Sequence, residues 1–172
     1  MAVYPLHLVR QRRLADGRDV TIRPVRAGDE RAEAQFLEGL SGESQRLRFL
    51  DFVQAPGEKL VHFFTHIDYD RHMAFVCEAA GGALVGEARY VANADGRSCE
   101  FGVVVADGWR HAGVAHLLMD ALIRAAQAHG LETMEGLVLS ENQDMLRFAK
   151  LLDFEINPDP VKPALVRVRR KL

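Results

Sequence analysis

The sequence predicts an α/β fold, a mixed sheet with helices on both sides. Three observations lead there: an early block of helix-spaced apolar residues, a later run of three short strands broken by turn residues, and a strong amphipathic helix set between two strands. In order, Leu6 to Leu14 and Val20 to Val25 read as a hairpin around Ala15-Asp16-Gly17-Arg18, with Pro24 arguing for an edge position. Asp29 to Leu40 carries Ala32, Phe36, Leu37 and Leu40 at helical spacing. Ser41 then suits the cap of a second helix bearing Leu47 and Leu50. A third helix is expected from Pro56 to about His66, burying Leu60, Phe63 and Phe64.

Met73 to Ala79, Ala83 to Val91 and Cys99 to Val105 read as successive antiparallel strands, divided by Gly81-Gly82 and by the Asn93 to Gly96 turn. The best helix follows, with Val114, Leu117, Leu118, Ala121, Leu122 and Ala125 on one stripe and Gly130 as a C-terminal cap. Thr133 to Leu139 is a strand, Gln143 to Leu152 a short helix, and Phe154 to Ile156 with Leu165 to Val168 two closing strands. The basic tail, Arg167 to Leu172, reads as an edge strand rather than a nucleic-acid arm.

Composition narrows the function classes. The 172 residues, 48% hydrophobic, fit a single domain spanning 1–172. With 22 basic against 24 acidic residues the formal charge is -2, so no global field draws nucleic acid or an anionic membrane. Cys77 and Cys99, both in apolar stretches, suit a reducing compartment, and neither a signal peptide nor a membrane span is legible. The expected location is cytoplasmic; a homodimer stays open.

The chemistry concentrates where the strand Val103-Val104-Val105 runs through Ala106-Asp107-Gly108-Trp109 into Arg110-His111-Ala112-Gly113-Val114-Ala115, which opens the strong helix. A helix start offers free backbone N–H groups and a positive dipole end, enough to hold a pyrophosphate. Gly113 and the small Ala115 permit close approach, and Arg110 adds a charge-assisted contact. His111 either touches phosphate or stays solvated. On spacing alone, an ordinary strand-loop-helix connection with a packing glycine fits equally well.

Arg-x-x-Gly-x-Ala after such a strand resembles the acyl-CoA signature of the GNAT acyltransferase superfamily. Asn142-Gln-Asp-Met-Leu-Arg-Phe-Ala-Lys-Leu-Leu-Asp-Phe154 is similar to that family's terminal Asn-helix-Gly-Phe segment, with Asp153 in place of the glycine. Val20-Thr21-Ile22-Arg23-Pro24-Val25, Leu47-Arg48-Phe49 and Ile67-Asp68-Tyr69-Asp70-Arg71 with Met73-Ala74 resemble the acetyltransferase domain of bacterial protein lysine acetyltransferases. Those enzymes often carry a large regulatory or synthetase-like region, for which 172 residues leave no room.

The resemblance implies the GNAT fold: a mostly antiparallel mixed sheet in which Thr133 to Leu139 splays from the preceding strand to make an acyl-CoA slot. It implies acetyl-CoA as co-substrate, with the backbone of Val103, Val104 and Val105 pairing with the pantetheine arm. Arg110, His111, Ala112, Gly113, Val114 and Ala115 then serve the pyrophosphate, and Asn142 completes the cofactor-binding set. The acceptor is an amine, foremost a protein lysine. A small-molecule amine acceptor and a non-catalytic acyl-CoA sensor are the alternatives.

An ammonium with a free pKa near ~10.4 needs a base. Glu100, on the binding strand, matches the position of a glutamate in such lysine acetyltransferases, and partial burial is expected to raise its pKa. A solvent-facing or ion-paired glutamate is the other reading. The family's tyrosine acid is replaced by Ala149, leaving water to protonate the thiolate. Cys99 reads as core rather than acyl carrier. His62 and His66 stand at i, i+4 spacing, but no third ligand is evident and no metal is expected. Asp68-Tyr69-Asp70-Arg71 either frames the acceptor or forms a capped loop.

Overall fold

A computed structural model describes residues 2–50 and 57–172. Eight strands form one sheet in the order β1-β2-β3-β4-β5-β6-β8-β7. These are β1 (Arg10–Arg13), β2 (Asp19–Pro24), β3 (His72–Ala79), β4 (Leu84–Ala92), β5 (Ser98–Val105), β6 (Thr133–Leu139), β7 (Glu155–Pro158) and β8 (Leu165–Lys171). The helices are α1 (Glu30–Gly39), α2 (Gly42–Phe49), α3 (Glu58–Thr65), α4 (Val114–Ala128) and α5 (Gln143–Leu151). Ser41 caps α2 as expected, its hydroxyl accepting from the Ser44 amide at 3.1 Å.

Side chains alternate across the sheet, so each strand feeds two cores. On one face α4 lays Leu118, Met119, Leu122 and Ala126 over Phe75, Cys77, Ala88 and Tyr90. Gly86 makes that approach feasible: a Cβ there would stand 2.9 Å from Val114 Cγ1 and 3.0 Å from Leu118 Cδ1. On the other face Phe36, Leu37, Phe49, Val61 and Phe64 of α1 to α3 cover Ala74, Val76, Leu84 and Val104. β3 therefore has six consecutive buried residues, His72 to Cys77.

The feature that makes a site is between β5 and β6. They pair in parallel only at Ser98↔Thr133, Cys99↔Met134 and Glu100↔Glu135, after which they diverge. β6 instead pairs along its whole length with β8. The Phe101 ring fills the divergence: a Cβ on Gly136 would be 2.9 Å from its Cε1, and Phe154 lies 5.1 Å away, centroid to centroid.

Some expectations fail for identifiable reasons. β2 is not an edge: it lies between β1 and β3, and Pro24 is tolerated because β1 stops opposite Ile22. The basic tail is not an edge either, since β8 sits between β6 and β7. Its arginines find partners there, Arg167 lying 3.7 Å from both Glu135 and Asp159. Leu6–Leu8 is a 3-10 turn, leaving only Arg10–Arg13 as strand. Phe63 is half exposed and packs on the His72 ring, while Val61 takes the buried place expected of it. The expected helix start at Pro56 lies outside the described residues.

Asp153, which stands where the resembled segment has glycine, adopts φ 60°. Its N–H donates to Lys150 O at 3.1 Å and that of Phe154 to Ala149 O at 3.0 Å, closing α5 with a left-handed residue. Asp153→Gly should therefore stabilise the fold by up to about 1 kcal/mol, by removing a Cβ from the left-handed region. Urea unfolding checks this; a loss of stability would show that the aspartate side chain itself holds the turn.

Candidate functional site

A cleft of about 1110 Å³ opens along the free edge of β5, bounded by α2, the start of α4, β6 and the start of α5. Glu100, Val103, Val104, Val105, Arg110, His111, Gly113, Val114, Ala115 and Asn142 line it. Ala112 does not, because its methyl group turns inward against the α4 core. The tertiary fold thus gathers nearly all of the residues singled out in the sequence, from β5, the β5–α4 loop and α5.

The loop enters α4 through two left-handed residues, His111 at φ 60° and Gly113 at φ 92°. Successive amides in such a turn converge, adding to the free N–H groups that any helix start presents. Leu117 is the first amide to close, on Gly113 O at 3.1 Å. A Cβ on Gly113 would meet no protein atom within 4 Å, so the space it would fill is open cleft. Val114, buried beneath, anchors the turn to the core.

Arg110 is already engaged. It lies 3.1 Å from Asp107 and donates to Ser44 Oγ, while Asp107 also accepts from Ser44 Oγ at 2.7 Å and from the Ser41 amide at 3.1 Å. These bonds tie the start of α2 to the loop before α4, and the Ser44 hydroxyl at their centre holds the Asp107 carboxyl below its usual range. Asn142 caps α5, its Oδ1 accepting from the Met145 amide at 3.1 Å, which leaves its amide nitrogen for a ligand. Trp109 is covered by the Arg18 guanidinium, 3.8 Å from the ring centre.

Glu100 lines the cleft but is exposed, against the expectation of partial burial. The cause is positional. It sits near the open end of β5 beside the half-exposed Val91, whereas α1 to α3 cover the far end around Val104. Among the described residues no hydrogen bond or ion pair engages its carboxylate. Cys99 is fully buried and its thiol is pushed up to about 12 by burial, so it is unsuited to carry an acyl group. Ala149 is buried as well, and no tyrosine lines the cleft among the described residues. Asp68 accepts from the Asp70 and His72 amides at 3.0 and 2.8 Å, which makes its segment a capped loop away from the cleft.

The sequence reading passed over a buried charged network on the same sheet face as Glu100. Arg89 forks onto Glu87, with Nε donating at 2.8 Å, and also donates to Phe64 O at 3.2 Å and His72 Nε2 at 2.8 Å. Arg48, from α2, lies 3.7 Å from Glu87 and rests on Gly102, where a Cβ would be 2.7 Å from its guanidinium carbon. Arg48 therefore forms the wall of the cleft beside Glu100, and its Nε is buried without a partner among the described residues. Two charges at i, i+2 in an internal strand, Glu87 and Arg89, were the available signal, since they must share one covered face.

Burial pushes the Glu87 carboxyl up, but the charge and hydrogen bonds of Arg89 outweigh it and hold it near 2. Glu33 on α1, fully buried with neither oxygen hydrogen-bonded among the described residues, is raised by burial and then by the neighbouring charge of Glu87. His72 is lowered to about 4 by burial and by Arg89. A raised Glu33 means that the native state keeps a proton the unfolded chain releases above about 4.5. Stability should thus fall relative to Glu33→Gln as pH rises from 5 towards 9, by at most about 1.4 kcal/mol per unit. Parallel pH profiles of the urea midpoints of the two proteins would show that Glu33 is ionised in the fold.

Residues 42–154 match the family model of the acetyltransferase (GNAT) family. Acetyltransferase PA5475 of Pseudomonas aeruginosa is 35% identical over 150 residues, which span 86% of this chain and 81% of that one. Acetyltransferase Pat of Mycolicibacterium smegmatis is 29% identical over 126 residues, 72% of this chain but 38% of that protein. The crystal structure of the GNAT domain of S. lividans PAT is similar with a TM-score of 0.90 at 25% identity, over 99% of this chain and 100% of that one. The Salmonella typhimurium protein yncA, solved with its cofactor acetyl-CoA, shares the fold, with a TM-score of 0.71 at 19% identity over 89% and 94% of the two chains.

Proposed function

The chain belongs to the acetyltransferase (GNAT) family, and from that premise we propose that it transfers the acetyl group of acetyl-CoA to the side-chain amine of a protein lysine, with Glu100 as base. One observation carries the reading: the unpaired edge of β5, the free amides of α4 and an unengaged carboxylate all open into a single cleft. The lysine acceptor is supported by the segments that resemble protein lysine acetyltransferases, and by the likeness to Pat and to the S. lividans domain.

Acetyl-CoA fits the donors present. The space at Gly113 and the amides from Gly113 to His116 suit a pyrophosphate, with His111 at the rim. Arg110 holds Asp107 and Ser44 with part of its five-donor fork, and the remaining donors suit phosphate. Ala112 serves the turn from beneath rather than the ligand. The edge of Val103 to Val105 suits an extended amide-bearing arm, and Asn142 lines the same cleft. No helix among the described residues is long and apolar enough to cross a membrane. The reading places the enzyme in the cytoplasm, where Cys77 and Cys99 stay reduced.

In the reaction, Glu100 takes a proton from the lysine ammonium, directly or through one water. The neutral amine attacks the thioester carbonyl carbon, the C–S bond breaks, the nitrogen gives up its second proton to water as the amide forms, and coenzyme A leaves as a thiolate that takes a proton from water. The strand edge aligns the thioester, and the held geometry supplies most of the entropic advantage. Direct transfer needs no acyl-enzyme, in keeping with the buried, strongly basic thiol of Cys99.

Glu100→Gln keeps shape but cannot accept the proton, so transfer at neutral pH should fall by roughly 100-fold or more. Coenzyme A affinity should be unchanged, and the deficit should shrink at higher pH, where more acceptor amine arrives neutral. An assay of released thiol with acetyl-CoA and a panel of proteins, peptides and small amines tests both parts. Full activity in the variant would remove Glu100 from the mechanism, and transfer to small amines alone would remove the lysine.

Gly113→Glu should abolish coenzyme A binding in calorimetry, because it combines bulk in the open space with repulsion of the pyrophosphate. Unchanged affinity in the folded variant would place the phosphates elsewhere.

A further inference from the structure

We propose that Glu30, His62 and His66 form a binding site for one divalent transition-metal ion, with zinc the best chemical match. The site lies outside the acetyl-transfer cleft and does not depend on that reading. The two histidines stand one turn apart at the end of α3, and their rings stack with centroids 3.8 Å apart at 22°. The missing third ligand comes from α1: Oε1 of Glu30, its first residue, lies 3.1 Å from His62 Nδ1 and 3.5 Å from His66 Nδ1. It is 32 positions before His62, which is why spacing along the chain could not reveal it.

One carboxylate oxygen of Glu30 faces a nitrogen of each imidazole, so three candidate donor atoms converge on one spot. A divalent cation satisfies all three groups at once. The candidate ligand atoms already lie within 4.8 Å of one another. Tetrahedral zinc with bonds of about 2.0–2.1 Å holds its ligands at roughly 3.3 Å, a spacing that rotation of exposed side chains can reach. His66 Nδ1 is also 3.1 Å from Thr65 Oγ1 and 3.2 Å from His62 O, so the metal either displaces those contacts or takes Nε2. Two histidines and a glutamate make a three-ligand set whose fourth position, on an exposed surface, is left to water.

The mechanical consequence follows from where the ligands sit. Bound metal would clip the start of α1 to the end of α3, and α3 in turn supplies Phe64 O to the buried Arg89. The helical layer over the Glu87 network would be fastened at its outer side, so binding should appear as stabilisation.

The test uses the tag-free chain, stripped with a chelator and exchanged into metal-free buffer. Calorimetric titration with zinc chloride should show one ion per chain with a micromolar or tighter dissociation constant. Zinc about 100-fold above that constant should raise Tm by roughly 5 to 10 °C. Glu30→Gln should weaken binding about tenfold or more, and the doubly substituted His62→Ala, His66→Ala protein should lose both the binding and the shift. All three side chains are exposed, so the variants should fold with wild-type Tm in the absence of metal. Millimolar binding, or binding undiminished in the double variant, would overturn the site. Wild-type affinity in Glu30→Gln would overturn the three-ligand assignment.

Discussion

β5 and β6 share three residue pairs and then part, with the Phe101 ring resting on Gly136 where a side chain would otherwise stand. Everything in the cleft depends on that separation. Were the parallel pairing to continue, the edge of Val103 to Val105 would be spent on β6, and no extended ligand could pair with it. β6 is held by β8 along its full length, so it stays in the sheet where it parts from β5. Both strands then turn a row of polar backbone groups towards the open groove.

The two faces of the sheet do different work around this groove. α4 packs on an apolar face through Gly86, so its first turn is rigidly placed at the cleft, with Val114 buried and Gly113 open. The opposite face carries the unusual charge density of Glu33, Arg48, Glu87, Arg89 and His72. Buried charges of this kind seldom add stability over an apolar core, and removing one partner is strongly destabilising. Their value here is geometric. Arg48 sits on Gly102 within 3.7 Å of Glu87, and in that position it shapes the wall beside Glu100.

In the proposed mechanism Glu100 acts through its location at the open end of β5. It is exposed and unengaged among the described residues, which is what a base for an acceptor arriving from solvent would require. The proposed acceptor, a protein lysine, would reach such a carboxylate with its long stem while its backbone stayed outside the groove. A base sealed behind α1 to α3, as Glu87 is, would be inaccessible to such a substrate.

Local pattern was enough to read most of the fold and the loop that enters α4. The period of the apolar residues, the turn glycines Gly82 and Gly96 and the helix stripe from Val114 are properties of neighbours in the chain. Residues Arg110 to Ala115 and Asn142 were legible as the entries to α4 and α5 for the same reason, since a helix start is a local object. Strand order was not: Pro24 and the basic tail suggested edges, yet β2 and β8 each gained a second neighbour from distant sequence. Nor was the burial of charge, since Glu33, Arg48 and Glu87 meet only when α1 and α2 close over β4. Glu30 joins His62 and His66 by the same closure. The amino-acid sequence determined by itself most of the strands and helices and the strand-loop-helix segment that opens α4. Only the tertiary structure decided which side chains far apart in the chain share a volume, because that depends on packing between elements rather than on the spacing within one.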